Sequence, residues 1–377
     1  MSTVLSKDVI NLKNTHVLGA RIKSIWQDFN LVAFDQEIKS NILNKGLGER
    51  IQLVRKTLYE YLPKNYKLAL SILLKSLPNI IKSDAFDNKL DLSSQNGFIM
   101  ISVTSFVARY GIDEYELSMN ALKEMTKRFS AEGSIRYFII KYPRRVIKTF
   151  KKWVNDESPH VRRLVSESTR PRLPMTMALP IFKNDPSPII PFLEKLKYDQ
   201  NLFIRRSVAN NLNDISKDNP DVVVKLLKKW NLNNSKEMKW VIKHSLRTLE
   251  KKGNAEALQI LGFSTDLKVT VNKFRIKNRK IKLGESINMD LEICTDSYRE
   301  ELILIDYIVY HMKANKKLSP KIFKWTKKKI PIKKPLSLSK THFIKKISTR
   351  RYYAGVHEIH IQINGKIVAE AKFELTV

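Results

Sequence analysis

Among its 377 residues the sequence has a single cysteine, Cys294. An intramolecular disulfide is excluded, and so is a cysteine-rich zinc site; a reducing, cytosolic setting fits that usage. No run of 18 apolar residues occurs, so no bilayer-spanning helix is predicted. The first ten residues, Met1 to Ile10, hold no long apolar stretch of the secretory kind. Acidic residues are scarce as well: 37 stand against 69 lysines and arginines, a formal charge of +32. That excess exceeds what solubility requires and implies a polyanionic partner, with nucleic acid ahead of an acidic membrane. The chain is 43% hydrophobic and 28% charged, which excludes a disordered polymer and allows sizeable cores. Its length fits two or three domains.

The pattern of apolar residues changes near Leu261-Gly262-Phe263-Ser264. Before it, apolar positions recur every three or four residues, as in 48–62, 66–77, 98–110, 113–129 and 222–230, which predicts helices. Pro63, Pro78, Gly111, Pro143 and Pro220 punctuate them as helix ends. After Ser264 the residues alternate: Leu267-Val269-Val271, Ile287-Met289-Leu291-Ile293 and Val356-Ile359-Ile361-Ile363 fit strands. Asn364-Gly365 joins two such runs and signals a hairpin. The expectation is an α domain at 1–263 and a β-sandwich at 264–377. The β part carries 25 basic and 11 acidic residues, the α part 44 and 26. The smaller part is thus the more basic per residue, and is not expected to be inert.

The helical part resembles itself. The block Asp156-Glu157-Ser158-Pro159-His160-Val161-Arg162-Arg163 recurs 43 residues later as Asp199-Gln200-Asn201-Leu202-Phe203-Ile204-Arg205-Arg206, with a weaker copy around Trp240-Val241-Ile242-Lys243-His244. A period of roughly 40 residues with paired helices predicts HEAT-like repeats in an α-solenoid. Ser158-Pro159 fits an N-cap followed by proline in the first turn. Stacked repeats let the register name residues that share one wall. Glu167 lies one turn after Arg163; the offset equates Arg163 with Arg206 and Glu167 with Asn210, and Asp214 lies a further turn along. Glu132 begins a helix one repeat earlier. Three carboxylates can therefore converge on a surface surrounded in sequence by Arg163, Arg170, Arg172, Arg205, Arg206, Lys243 and Arg247.

Carboxylates repel phosphate, so as plain binding residues on a polyanion they make no sense. They suit a ligand with a local positive charge. An N-alkylated base is cationic, and breaking its glycosidic bond develops further positive charge on the sugar. At an effective dielectric of ~20, a carboxylate about 4 Å away contributes on the order of 4 kcal/mol. Blander readings stand beside this one. Asp156, Asp199, Arg162 and Arg205 can lock neighbouring repeats, and Glu132 can simply favour a helix N-terminus. His160 and His244 have no ligand spacing, and Trp153, Trp230 and Trp240 are core candidates. Trp240, beside Lys243 and His244, can alternatively offer its face to a nucleotide.

Four segments then resemble a known family: Thr126-Lys127-Arg128-Phe129-Ser130-Ala131-Glu132; His160-Val161-Arg162-Arg163-Leu164-Val165-Ser166-Glu167-Ser168-Thr169-Arg170-Pro171-Arg172-Leu173-Pro174; Arg206-Ser207-Val208-Ala209-Asn210-Asn211-Leu212-Asn213-Asp214; and His244-Ser245-Leu246-Arg247-Thr248-Leu249. Together they are similar to the AlkC family of bacterial DNA alkylation-repair glycosylases, relatives of AlkD among HEAT-like proteins. Some members carry a C-terminal immunoglobulin-like domain, and 264–377 looks like it. The resemblance implies a monofunctional glycosylase of base excision repair. It would hydrolyse the N-glycosidic bond of cationic bases, chiefly 3-methyladenine, with 3-methylcytosine as a second candidate, and use no metal or organic cofactor. It assigns catalysis to Glu132, Glu167 and Asp214. The resemblance also implies that the lesion is exposed by bending the duplex rather than by full extrusion. DNA contact is expected at Arg163, Arg170, Arg172, Arg205, Arg206, Trp240, Lys243, His244 and Arg247. In the β part it is expected at Lys327, Lys328 and Lys329, from end loops gripping the duplex opposite the solenoid. The partner is double-stranded DNA with alkylated bases, no membrane is involved, and a monomer in the bacterial cytoplasm, at the nucleoid, is expected. Met175 stands where a tryptophan is expected in the family, and Gly133 where a bulkier residue is common. The competing reading is a non-catalytic HEAT scaffold that binds nucleic acid; a third is an adaptor for an acidic protein.

Overall fold

A computed structural model describes residues 6–80, 95–232, 235–347 and 350–377. The chain divides into two compact units, Met1–Asn219 with Ser235–Ser245, and Pro220–Asn234 with Leu246–Val377. No helix among the described residues is long and apolar enough to cross a membrane.

In the first unit, helices Leu47–Tyr61, Met100–Tyr110, Glu132–Lys141, Pro159–Ser168, Leu202–Ile215 and Lys236–Ser245 pack each on the next in that order. This layer carries the site. A second layer, with helices Tyr115–Thr126, Pro143–Trp153 and Ile190–Leu196, packs behind it. The punctuation marks divide into two kinds. Pro63, Pro78 and Gly111 follow helices, whereas Pro143 and Pro220 open them, where a missing N–H costs nothing. The 43-residue register is reproduced in the turns that lead into the two helices. Arg162 Nη1 donates to the carbonyls of Asp156 and Glu157, both at 2.9 Å; Arg205 Nη1 donates to those of Asp199 and Gln200, at 2.6 and 2.8 Å. Asp156 accepts from the Ser158 amide at 2.9 Å, and Asp199 from the Asn201 amide at 3.0 Å. This turn, rather than a Ser158 hydroxyl cap, orders the entry to each helix, since the Ser158 side chain makes no capping bond.

The second unit adds helices Pro220–Trp230, Arg247–Lys252 and Ala255–Ile260 to eight strands. These are β1 (Val269–Ile276), β2 (Lys280–Lys282), β3 (Ser286–Thr295), β4 (Glu301–Met312), β5 (Leu318–Ile330), β6 (Leu336–Phe343), β7 (Gly355–Ile363) and β8 (Lys366–Thr376). One sheet has the order β1-β3-β6, the other β2-β8-β7-β4-β5. The alternating apolar residues of both enclose one core, including Ile287, Met289, Leu291 and Ile293 from β3 and Ile359 and Ile361 from β7. Asn364 and Gly365 close the β7–β8 hairpin with φ of 44° and 84°, as a two-residue turn with both centres left-handed requires. The helix-to-strand change falls between Ile260 and Val269, close to the sequence boundary at 263/264. Compactness places the last helices with the sheets, because Leu258 and Phe263 bury themselves against Leu304 of β4. The basic cluster Lys327-Lys328-Lys329 lies on the edge strand β5 and not in an end loop. Lysines on an edge also hinder strand-to-strand aggregation.

Three histidines are buried in this unit: His311, His342 and His357. Arg350 donates to His311 Nε2 at 2.8 Å, which leaves the proton on Nδ1, an atom with no partner. Tyr307 is bonded to His342 Nδ1 at 2.9 Å, and His342 Nε2 has no partner. Burial, with the Arg350 charge second, pulls His311 down from 6.5 to about 3 and His342 to about 4. A base whose folded pKa is depressed stabilises the fold fully above 6.5, and that stability is lost as pH falls. The second unit should therefore lose up to about 1.4 kcal/mol per pH unit and per histidine on acidification from pH 6.5 toward 4. Thermal unfolding across that range tests this, and the double variant His311→Gln, His342→Gln should flatten the slope; an equal slope in the variant would place the pH dependence elsewhere.

Candidate functional site

Glu132 is the first residue of helix Glu132–Lys141, so its carboxyl sits where a helix N-terminus meets the wall of the next helix. Glu167 comes from the last turn of Pro159–Ser168, and Asp214 from the last turn of Leu202–Ile215. The spacing of arginines links all three acids. Arg163 Nη2 lies 3.9 Å from Glu132 Oε1 and 3.7 Å from Glu167 Oε1, while its Nη1 donates to Ser130 Oγ at 3.0 Å. Arg170 donates from Nη1 to Glu167 Oε1 at 2.7 Å and from Nε to Asp214 Oδ2 at 2.8 Å. Lys217 completes the series at Asp214 Oδ1, 2.7 Å away. Charges thus alternate through Glu132, Arg163, Glu167, Arg170, Asp214 and Lys217.

A cavity of about 210 Å³ opens onto one end of this series. Phe129, Ser130, Glu132, Arg163, Glu167 and Phe203 line it, with Arg206, Ser207 and Asn210 from the 202–215 helix. Asp214 does not line it. It is 1% exposed and lies behind the wall, with both oxygens engaged. The two glutamates that do face the cavity differ in character. Burial would raise Glu167, but Arg163 and Arg170 beside it and hydrogen bonds from Ser207 and Arg170 outweigh burial and hold the carboxyl below its usual value. Ser207 Oγ lies 2.6 Å from Glu167 Oε2. Glu132 has no such support: burial pushes it up, the Arg163 charge only partly opposes this, and its Oε2 is enclosed without a partner. One wall of the cavity therefore holds a fixed anion and, next to it, a carboxylate with a free acceptor and raised proton affinity. A desolvated acceptor of this kind attracts a cationic or hydrogen-bond-donating ligand.

The basic residues picked from sequence separate into two groups. Arg170 is 7% exposed and engaged by two acids, so it holds the site together and does not present itself to a phosphate. Arg205 is taken by loop carbonyls, and Arg172 pairs with Asp218 at 2.6 Å at the surface. Arg206 and Lys243 are exposed, and Arg206 lines the cavity mouth. Trp240 is half-buried and stacks on His244, with ring centroids 5.0 Å apart and planes 6° from parallel; His244 Nε2 is 3.1 Å from Asn210 Oδ1. That aromatic pair is tied to the cavity wall through Asn210. Trp153 and Trp230 are core residues as expected. Arg247, Lys327, Lys328 and Lys329 belong to the second unit. Met175 is 84% exposed with φ of 61°, and a Cβ on Gly133 would make ordinary contact with Thr176.

Sequence reasoning missed Ser207, Lys217 and Arg136. Ser207 occupies the repeat position of the fully buried Leu164, and a hydroxyl at a core position was the available signal. Arg136 is entirely buried and donates to the carbonyls of Met177 at 2.8 Å, Ser168 at 3.0 Å and Arg170 at 2.7 Å. It thereby fixes the loop that carries Arg170. Burial and the nearby Arg170 charge lower it to about 10, which leaves it charged at neutral pH.

Comparison with known proteins gives a consistent picture. Residues 112–249 match the family model described as DNA alkylation repair enzyme, and 270–377 match the C-terminal Ig-like domain of the uncharacterised YhaZ protein. Over 370 residues the chain is 32% identical to the uncharacterised YhaZ of Bacillus subtilis, covering 98% of this chain and 99% of that protein. It is also similar in structure to the Pseudomonas fluorescens alkylpurine DNA glycosylase AlkC bound to DNA containing an abasic site analog. That match has a TM-score of 0.87 and 29% identity, over 98% of this chain and 99% of the other.

The charge series makes a stability claim. Arg170→Met would leave Glu167 and Asp214 buried without their shared cation, and should destabilise the first unit by about 3–5 kcal/mol. Arg206→Ala, at an exposed position, should stay within about 0.5 kcal/mol of the parent. Denaturant unfolding compares the two; equal midpoints would mean that Arg170 does not hold the series together.

Proposed function

The chain belongs to the AlkC family of DNA alkylation repair enzymes, and from that premise we propose that it is a monofunctional DNA glycosylase for cationic N-alkylated bases. 3-Methyladenine is the first substrate of this reading and 3-methylcytosine the second. The observation that carries it is the pair of unlike glutamates, Glu132 and Glu167, on one cavity wall of a chain with net charge +32. In the reaction the bond between sugar C1′ and the base nitrogen breaks. The bonding electrons go to the base, which leaves neutral because it entered as a cation. A water oxygen forms the new bond to C1′ and gives up a proton.

Glu132 suits the role of holding that water and receiving its proton, since its Oε2 is unpartnered and its proton affinity is raised. Glu167, kept ionised by Arg170, Arg163 and Ser207, suits electrostatic stabilisation of the oxocarbenium-like sugar. Asp214 is a positioning residue in this scheme: it anchors Arg170, which anchors Glu167. Arg206, Lys243 and the Trp240–His244 pair, exposed or half-exposed near the cavity wall, suit contact with the DNA backbone and bases. In the second unit Lys327, Lys328 and Lys329, together with the groove of about 610 Å³ lined by Lys313, Arg350, Arg351 and Tyr353, suit auxiliary contact with phosphates.

Release of free base from methylated DNA, resolved by chromatography, tests the reading. Glu132→Gln and Glu167→Gln should each slow release roughly 10²–10³-fold, the rate equivalent of one carboxylate near developing charge. Wild-type protein that releases no base would favour the non-catalytic scaffold. The rate should also fall on acidification with a midpoint above 4.5, set by Glu132; a limb at or below 4.5 would take the proton-accepting role away from Glu132. Substituting Lys327, Lys328 and Lys329 by alanine should reduce the slope of log affinity against log salt by up to about 3 while release at saturation persists; an unchanged slope would leave those lysines the task of protecting the β5 edge.

A further inference from the structure

Helix Pro143–Trp153 lies in the layer behind the site helices and contributes nothing to the cavity wall. Its sequence, PRRVIKTFKKW, holds five cations and no acid. Val146, Phe150 and Trp153 are buried, at spacings of four and three residues, and Phe150 packs on Phe192 of the Ile190–Leu196 helix. That stripe fixes the helix rotation. Arg144, Lys148, Lys151 and Lys152 then form the opposite stripe, and all four are exposed. Arg145 stands apart: it pairs with Glu116 at 3.1 Å and lies over the Tyr115 ring at 4.0 Å, which ties its helix to the neighbour in the same layer. Among the described residues no carboxylate lies within ion-pair distance of Arg144, Lys148, Lys151 or Lys152, although several other cations of this unit are paired.

We propose that this outward stripe is a second nucleic-acid surface, which binds the phosphate backbone of a DNA segment other than the one at the cavity. The spacing suits a regular polyanion. Residues four apart on a helix rise about 6 Å, close to two base-pair steps of about 3.4 Å, and the stripe runs for roughly 12 Å. An acidic protein would need an apolar anchor amid the charges. None of the large exposed apolar residues lies on this helix. A chain that holds one segment in its site layer and another behind can pass between neighbouring segments without full release. The proposal shares with the preceding section only the premise that the partner is DNA.

The test is the stoichiometry of the full chain with short undamaged duplex at low salt, by analytical ultracentrifugation. The variant is Arg144→Ala, Lys148→Ala, Lys151→Ala, Lys152→Ala, all at exposed positions. Wild type should take up two duplexes per chain, with the weaker event lost first as salt rises. The variant should take up one and keep its base-release rate on short methylated duplex. On long DNA carrying sparse lesions the variant should be slower, by severalfold. Three results would overturn the proposal: a wild type that saturates at one duplex, a variant that still takes two, or a stripe that captures poly-glutamate but no second duplex, which would assign it to an acidic protein. Wild-type protein that releases no base would sink the glycosylase reading yet leave the two-duplex count to stand or fall separately.

Discussion

Buried charge must be compensated, and the site is organised around that constraint. Glu167 and Asp214 are nearly inaccessible to water, and an isolated carboxylate in such a place would neutralise itself. Arg170, equally buried, supplies the cation that both share, because it reaches Glu167 through one terminal nitrogen and Asp214 through Nε. Its own loop is held by Arg136, whose guanidinium satisfies three carbonyls inside the helical layers. The series ends at the cavity with Glu132, where compensation is incomplete. A carboxylate network that was satisfied throughout would be a structural lock. This one is closed at Asp214 and left open at the cavity, where Glu132 keeps an acceptor without a partner.

Much of this was legible in the sequence because a helical repeat converts spacing into geometry. The offset between Arg162 and Arg205 predicted equivalent positions, and the two side chains make the same carbonyl contacts. The same register selected Glu132, Glu167 and Asp214, and the structure links them through Arg163 and Arg170. The hairpin at Asn364-Gly365 was readable because few dipeptides tolerate two positive φ angles in succession.

Depth was not legible. Periodicity names a face of a helix but does not say which turn of that face reaches solvent. Asp214 therefore looked like a third wall residue and proved to be a support behind the wall. Arg170 sits in a polar block that reads as a binding surface, yet it is enclosed, because the loop after Ser168 folds inward to meet Arg136. The domain boundary shows a similar limit. Secondary structure changes where the alternation begins, but compactness is decided by which apolar side chains find each other, and Leu258 and Phe263 find Leu304.

Net charge, which first pointed to a polyanion, is a poor measure of where the polyanion goes. Arg136, Arg162, Arg170 and Arg205 all add to the +32, and all of them are engaged by backbone carbonyls or acids of the fold. What stays exposed is a different set: Arg206 and Lys243 near the site, the β5 lysines, of which Lys329 pairs with Glu300, and the stripe on Pro143–Trp153. The division has a physical logic. A cation meant for phosphate should stay hydrated until it binds, because its affinity comes from counterion release. A cation meant to keep a carboxylate ionised should be dry, because the low local dielectric is what makes it effective. A repeat fold supplies both environments from one helix: successive turns of Leu202–Ile215 carry exposed Arg206, wall residue Asn210 and enclosed Asp214, so the same element reaches outward to solvent and inward to the charge series.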